Sequence, residues 1–141
     1  MDFWKTRFGK VVVLRCDRGE DLLGSIEASS IKNNIVNGVI VSAIGTLEKC
    51  RMHRVTSKGL PPEEEYVEID GPLEINSIDG IIADHKLHAH ICVSDSKNTY
   101  GGHLEPGSPV LYLAEIVLAE IQILLERKLD SKTGLSLLRI K

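Results

Sequence analysis

The chain has 141 residues, 43% of them hydrophobic and 26% charged, with a formal net charge of −3. That much apolar sequence excludes a disordered segment and is enough for one domain, residues 1–141, with a real core. The acidic balance, without a basic stripe, argues against a protein that grips nucleic acid through its phosphates.

No apolar run reaches the roughly 18 residues of a membrane span; the longest is cut by Glu115 and Glu120. No membrane partner is expected. The first ten residues, MDFWKTRFGK, carry no apolar signal core. Cys16, Cys50 and Cys92 are odd in number, widely spaced and each in an expected strand. They read as reduced thiols of a cytoplasmic protein, not as a disulfide framework.

Val11 to Arg15 is β-branched and reads as a first strand. Phe3, Trp4 and Phe8 precede it as cover for a core edge or a subunit contact. Glu20 and Asp21 place negative charge at the start of a helix, and Leu22, Leu23 and Ile26 form its buried stripe to about Asn33. Asn37-Gly38 is a turn. Val39–Ile44 and Leu47–Val55 read as strands on either side of Gly45.

The acidic run Glu63-Glu64-Glu65 reads as a solvated loop. Tyr66–Ile69 is a strand expected to end at Asp70-Gly71-Pro72. Leu73–Ile78 and Ile81-Ile82 then flank an expected turn at Asp79-Gly80. Asp84-His85-Lys86 turns into a further strand. Val110 to Ile123 is the longest apolar stretch and reads as a strand, followed by a loop at 130–134 and a last strand at 135–140. The expected fold class is α/β (α+β), mostly antiparallel sheet with one or two helices.

The chemistry concentrates in Leu87–Leu104, LHAHICVSDSKNTYGGHL, with the pattern H-x-H-x12-H at His88, His90 and His103. On a strand His88 and His90 share a face, with Cα atoms roughly 6.6 Å apart. The intervening residues are enough for the chain to turn and return His103. Three imidazoles with an open fourth position are a recurring ligand set for zinc, and other divalent transition metals accept the same donors. Gly101 and Gly102 are expected to give the backbone freedom to turn His103 inward. Cys92 shares the face of His90 but lies about 13 Å from His88 along an ideal strand, and reads as packing. His53 and His85 read as surface histidines.

Glu115 interrupts the apolar strand Leu111–Leu118. A carboxylate there needs a partner. Two readings follow: an ion pair with Arg51 or Arg54 or exposure on a polar face, and a catalytic or positioning carboxylate near the metal.

These segments resemble the plant-and-prokaryote-conserved (PPC) domain family. The resemblance rests on Ser42-Ala43-Ile44-Gly45-Thr46-Leu47, Glu74-Ile75-Asn76-Ser77-Ile78-Asp79-Gly80, Leu87-His88-Ala89-His90, Gly101-Gly102-His103-Leu104 and the strand around Glu115. It spans roughly residues 8 to 138, and L-H-x-H with G-G-H-L at this separation is its most specific part. It implies a compact α/β domain that assembles as a homotrimer. It also implies the family's DNA-binding label, which derives from plant members carrying a basic AT-hook; no Arg-Gly-Arg-Pro core occurs here. The fold and the three histidines are also similar to those of acetolactate decarboxylase, which holds zinc. Two functions are therefore expected. The first is a trimeric zinc protein with a small-molecule ligand at the metal, and metal-dependent catalysis if it is an enzyme. The second is an interaction module recruited to DNA or protein, with a structural metal.

Overall fold

A computed structural model describes all 141 residues. It consists of β1 (Phe8–Asp17), α1 (Leu22–Lys32), β2 (Gly38–Val55), β3 (Glu64–Ala83), β4 (Lys86–Ser94), β5 (Thr99–Leu104), β6 (Val110–Ile121), β7 (Leu125–Leu129) and β8 (Ser136–Ile140). The first six strands form one antiparallel sheet in the order β1-β6-β2-β3-β4-β5. The sheet curls until β5 also meets the far end of β2, at Met52↔Leu104 and His53↔His103. Strands β7 and β8 form a separate hairpin. The expected α/β class, mainly antiparallel with a helix, holds. No helix is long and apolar enough to cross a membrane.

The inner face of the curled sheet holds the core, including Leu47, Met52, Ile78, Ile91, Leu104 and Ile116. Helix α1 plugs it with Leu22 and Ile26, both fully buried. Asp21 caps the helix, accepting from the Gly24 N–H at 2.9 Å. Its other oxygen accepts from the Gly107 and Ser108 N–H groups at 2.6 and 2.9 Å, so one carboxylate ties the helix start to the turn before β6. The helix ends at Asn33, and Asn34 takes a left-handed φ of 52°.

Strand β3 corrects two expected breaks. It runs unbroken through Asp70-Gly71-Pro72 and Asp79-Gly80. The first is a bulge: Leu47 pairs with Leu73 and Lys49 with Asp70, so Glu48 faces both Gly71 and Pro72. At the second, Asp79 pairs with His90 and Gly80 with Ala89. Gly80 is there for close approach; a Cβ would come within 2.7 Å of the Ala89 Cβ. Two strands expected around Gly45 likewise form one, β2, with pairing to β6 that shifts between Gly45 and Leu47. Strand β7 was not expected at all. Asn37, almost fully buried, accepts from the Leu125 N–H at 3.2 Å and the Asp84 N–H at 3.1 Å, and so anchors the start of the hairpin.

Two tight turns set the register that matters for function. Asp84 and His85 both have positive φ, 52° and 63°, the signature of a two-residue hairpin turn. Beyond it Ile81 faces His88 and Asp79 faces His90. At the other end of β4, Asp95 accepts from the Lys97 and Asn98 N–H groups at 2.6 and 2.7 Å and from the Tyr100 hydroxyl at 3.0 Å. These bonds hold its carboxyl below the usual range. This turn brings His103 directly opposite His90.

Candidate metal centre

The centre is built on strand alternation. On β4, Leu87, Ala89, Ile91 and Val93 point into the core, and His88 and His90 point outward. Glu27 of α1 fixes the start of that strand, accepting from the Leu87 N–H at 3.0 Å and facing the Lys86 ammonium at 3.3 Å. His103 on β5 pairs with His90 on one side and His53 of β2 on the other. The curl of the sheet thus lines up imidazoles from three strands on its outer face.

The ring centroids lie 5.8 Å apart for His88 and His90, 4.6 Å for His88 and His103, and 5.7 Å for His90 and His103. One ligand nitrogen from each falls within 4.8 Å of the others, so these three could hold a metal ion. A second group overlaps it: His53, His103 and Glu105 meet the same criterion. His53 donates through Nδ1 to Glu105 Oε1 at 2.7 Å, and its Nε2 lies 3.8 Å from Glu64 Oε1. Its ring stacks on that of His103 at 4.4 Å.

The histidines border a cavity of about 550 Å³, open to solvent and walled also by Glu64, Asp79, Pro62 and Leu135. Partial burial pushes the His88 imidazole down to about 4, helped by the positive charge of Arg127 and by the neighbouring histidines. Burial lowers His103 as well, with His53 adding to it and Glu105 opposing. Both rings are held neutral, the form that binds a metal. The donors suit a borderline ion: nitrogens from three imidazoles, with a carboxylate-bonded fourth imidazole alongside.

Several expectations change. His53 is not a surface histidine: its side chain is 16% exposed and lies against His103. With Glu105 it was missed, because the β2–β5 pairing that brings it there leaves no local pattern. Glu64 is not in a loop; it opens β3 and walls the cavity. Gly101 and Gly102 do not bend the chain, since neither has a positive φ. Gly102 instead lets β5 approach β2: a Cβ would lie 2.7 Å from the His53 carbonyl oxygen and 2.9 Å from the Met52 sulfur. Cys92 walls the cavity without joining either ligand group; its sulfur is 3.9 Å from Asn76 Nδ2. His85 sits in the β3–β4 turn with its Nδ1 buried and unpartnered.

Glu115 stands exposed on β6, opposite Arg15 of β1 and Ile44 of β2, outside the histidine cavity. Arg51 and Arg54 are engaged elsewhere, with Glu68 at 3.8 Å and the Gly101 carbonyl at 2.9 Å.

Over 127 residues the chain is 31% identical to the bifunctional protein GlmU of a Synechococcus strain, covering 89% of this chain and 20% of that protein. The chain thus spans about a fifth of the length of the curated relatives it matches. A metal-containing protein of Archaeoglobus fulgidus is 30% identical with a TM-score of 0.84, over 97% of this chain and 98% of that one. A plant- and prokaryote-conserved (PPC) protein of Pyrococcus horikoshii is 26% identical with a TM-score of 0.83, over 100% and 99%. A Bacteroides thetaiotaomicron protein named as a candidate for DNA binding shares the fold, at 18% identity and a TM-score of 0.82, over 96% and 97%. The model of the Plants and Prokaryotes Conserved (PCC) domain matches residues 5–122, and the chain belongs to that family.

Proposed function

We propose that this chain is a metal-binding protein that holds one divalent transition metal, zinc by first choice, on His88, His90 and His103. The observation that carries the reading is the convergence of their three ligand nitrogens within 4.8 Å, at the wall of an open cavity. The Archaeoglobus relative, named as metal-containing, supports it. The chemistry that such an ion supplies is polarisation of a ligand oxygen as a Lewis acid. The chain's own residues then do the rest. His53, fixed by Glu105, presents an imidazole beside His103, and the walls of the cavity admit a small molecule.

The chain acts as a single domain in a homotrimer. Val11, Val13, Ile44 and Tyr112 are all more than half exposed on β1, β2 and β6, an apolar surface that self-association would cover. The three free thiols fit a reducing compartment, and we assign the cytoplasm.

Elemental analysis of the purified protein tests the metal. About one zinc per chain is expected, as a three-imidazole site would hold. The variant with all three histidines changed to alanine should lose it. Unchanged metal in that variant would place the site elsewhere, and light scattering that gives a monomer would remove the trimer.

The second reading is a DNA-associated module in which the metal is structural. It is favoured by the name of the Bacteroides relative. The net charge of −3 and the Glu64 and Asp79 walls of the cavity count against it. Retention of an AT-rich duplex by the protein at low salt, lost as salt rises, would establish it.

A further inference from the structure

The wall of the histidine cavity holds two acceptors that face each other. His53 directs its Nδ1–H to Glu105 Oε1 at 2.7 Å, which leaves Nε2 as a lone-pair acceptor. Glu64 Oε1 lies 3.8 Å from that Nε2. The other oxygen of Glu64, Oε2, accepts from the Tyr66 hydroxyl at 3.4 Å. No group of the chain donates to His53 Nε2 or to Glu64 Oε1. Both residues line the cavity.

The separation decides what fits between them. At 3.8 Å it is too long for a direct hydrogen bond. A zinc ion with bonds of about 2.0–2.1 Å reaches both only near the straight line between them, far from a tetrahedral angle. Glu64 accordingly belongs to neither three-ligand group. A donor atom at about 2.9 Å from each acceptor fits with room to spare.

The surrounding charge selects a cationic donor. Glu64 and Asp79 both wall the cavity, and Asp79 is in none of the chain's ion pairs. The one guanidinium residue of the lining, Arg54, is held by the sheet: its Nε donates to the Gly101 carbonyl at 2.9 Å, and its Nη2 lies 3.8 Å from the Met52 sulfur. Val55, Pro62 and Leu135 add apolar surface to the same wall, and Val55 stands directly opposite Glu64 in the pairing of β2 with β3.

We propose that Glu64 and His53 Nε2 form a subsite for the primary ammonium group of a small aliphatic amine, whose chain lies on Val55, Pro62 and Leu135. An ammonium carries three donors, so two of them serve these acceptors at once. The inference shares the cavity of the reading above without depending on the metal. An ion on the three histidines weakens the attraction without reversing it, because Glu64 touches the ammonium directly.

The test titrates n-butylammonium into the full chain at neutral pH, before and after chelator treatment, and follows the amide NMR shifts of Val55 and Glu64. Saturable shifts at the cavity wall are expected. n-Butyltrimethylammonium carries the same charge without donors and should need at least about tenfold more, as the loss of charge-assisted hydrogen bonds predicts. Glu64→Gln should weaken n-butylammonium by about tenfold or more. Glu65→Gln makes the same change of charge on the other face of β3, outside the cavity, and should leave binding within about twofold. Equal titrations of the two cations would overturn the proposal, as would equal n-butylammonium titrations in wild type and Glu64→Gln. Tighter binding of butyrate than of n-butylammonium, or no saturable shift at all, would do the same. The comparison of the two cations needs only the wild type, so it decides the matter even if Glu64→Gln does not fold. A chain that takes up no zinc overturns the metal reading and leaves this inference standing. A chain that holds zinc and binds no amine in either form overturns this inference alone.

Discussion

His53 stands directly opposite His103 in the pairing of β2 with β5, and their rings stack with centroids 4.4 Å apart. His103 therefore belongs to two potential ligand groups at once, with His88 and His90 or with His53 and Glu105. Substitution separates them. If the metal sits on the first group, His90→Ala should release it, and Glu105→Gln should weaken binding by no more than about 10- to 100-fold, as loss of an orienting partner does. A chelator competition titration reads both. Release of the metal by Glu105→Gln, with retention by His90→Ala, would move the ion to the second group.

Two adjacent glycines differ in what surrounds them. A Cβ at Gly102 would press on the His53 carbonyl and the Met52 sulfur, whereas at Gly101 its nearest neighbour is the Ile91 carbonyl oxygen at 3.6 Å. Gly102→Ala should destabilise the fold by about 1–3 kcal/mol through overpacking. Gly101→Ala should stay within about 0.5 kcal/mol. Urea denaturation of the two variants measures this, and equal effects would refute the close-approach account of Gly102.

The His88 imidazole gives the metal-free protein a pH dependence of definite sign. Burial lowers it from 6.5 to about 4 in the fold. The unfolded chain then binds the proton more readily than the folded one. Stability from this group is full above about pH 6.5 and is lost as pH falls from there towards 4. His103, lowered for the same reason, acts in the same direction. Thermal unfolding of the metal-free chain should therefore show a midpoint that falls through this window, with a smaller slope in His88→Gln. Parallel slopes would mean that His88 is not held neutral by the fold.

Asn37 anchors the hairpin from inside the fold. Replacing it with alanine strands the Asp84 and Leu125 N–H groups and should cost about 1–3 kcal/mol, the usual penalty for buried donors left unpaired. The β7–β8 amides should then exchange with deuterium faster than those of β2 and β6. Uniform acceleration across the sheet would show that the hairpin is not a separately held element.

The sequence alone was enough for the elements whose evidence is local. Period-two alternation from Leu87 to Val93 put His88 and His90 on one outward face, and the charge at Glu20-Asp21 with the stripe Leu22-Ile26 marked the helix. The motif around His103 was legible for the same reason, as three histidines close together in the chain. Breaks were misread where glycine served a neighbour instead of a turn. Gly80 and Gly71 sit inside a 20-residue strand because adjacent strands crowd them, and crowding is not written in the residues beside them.

What only the tertiary structure decided is which distant residues complete the site. His53 and Glu105 arrive on β2 and after β5, and each is polar sequence of an ordinary kind. They meet the histidine strand because the sheet curls far enough for β5 to pair with β2, while Asn37 holds the start of the hairpin whose Leu135 walls the cavity. Strand alternation is a property of neighbours in the chain. Curl, register and hairpin docking come from hydrogen bonds and packing between segments tens of residues apart, so no local pattern carries them.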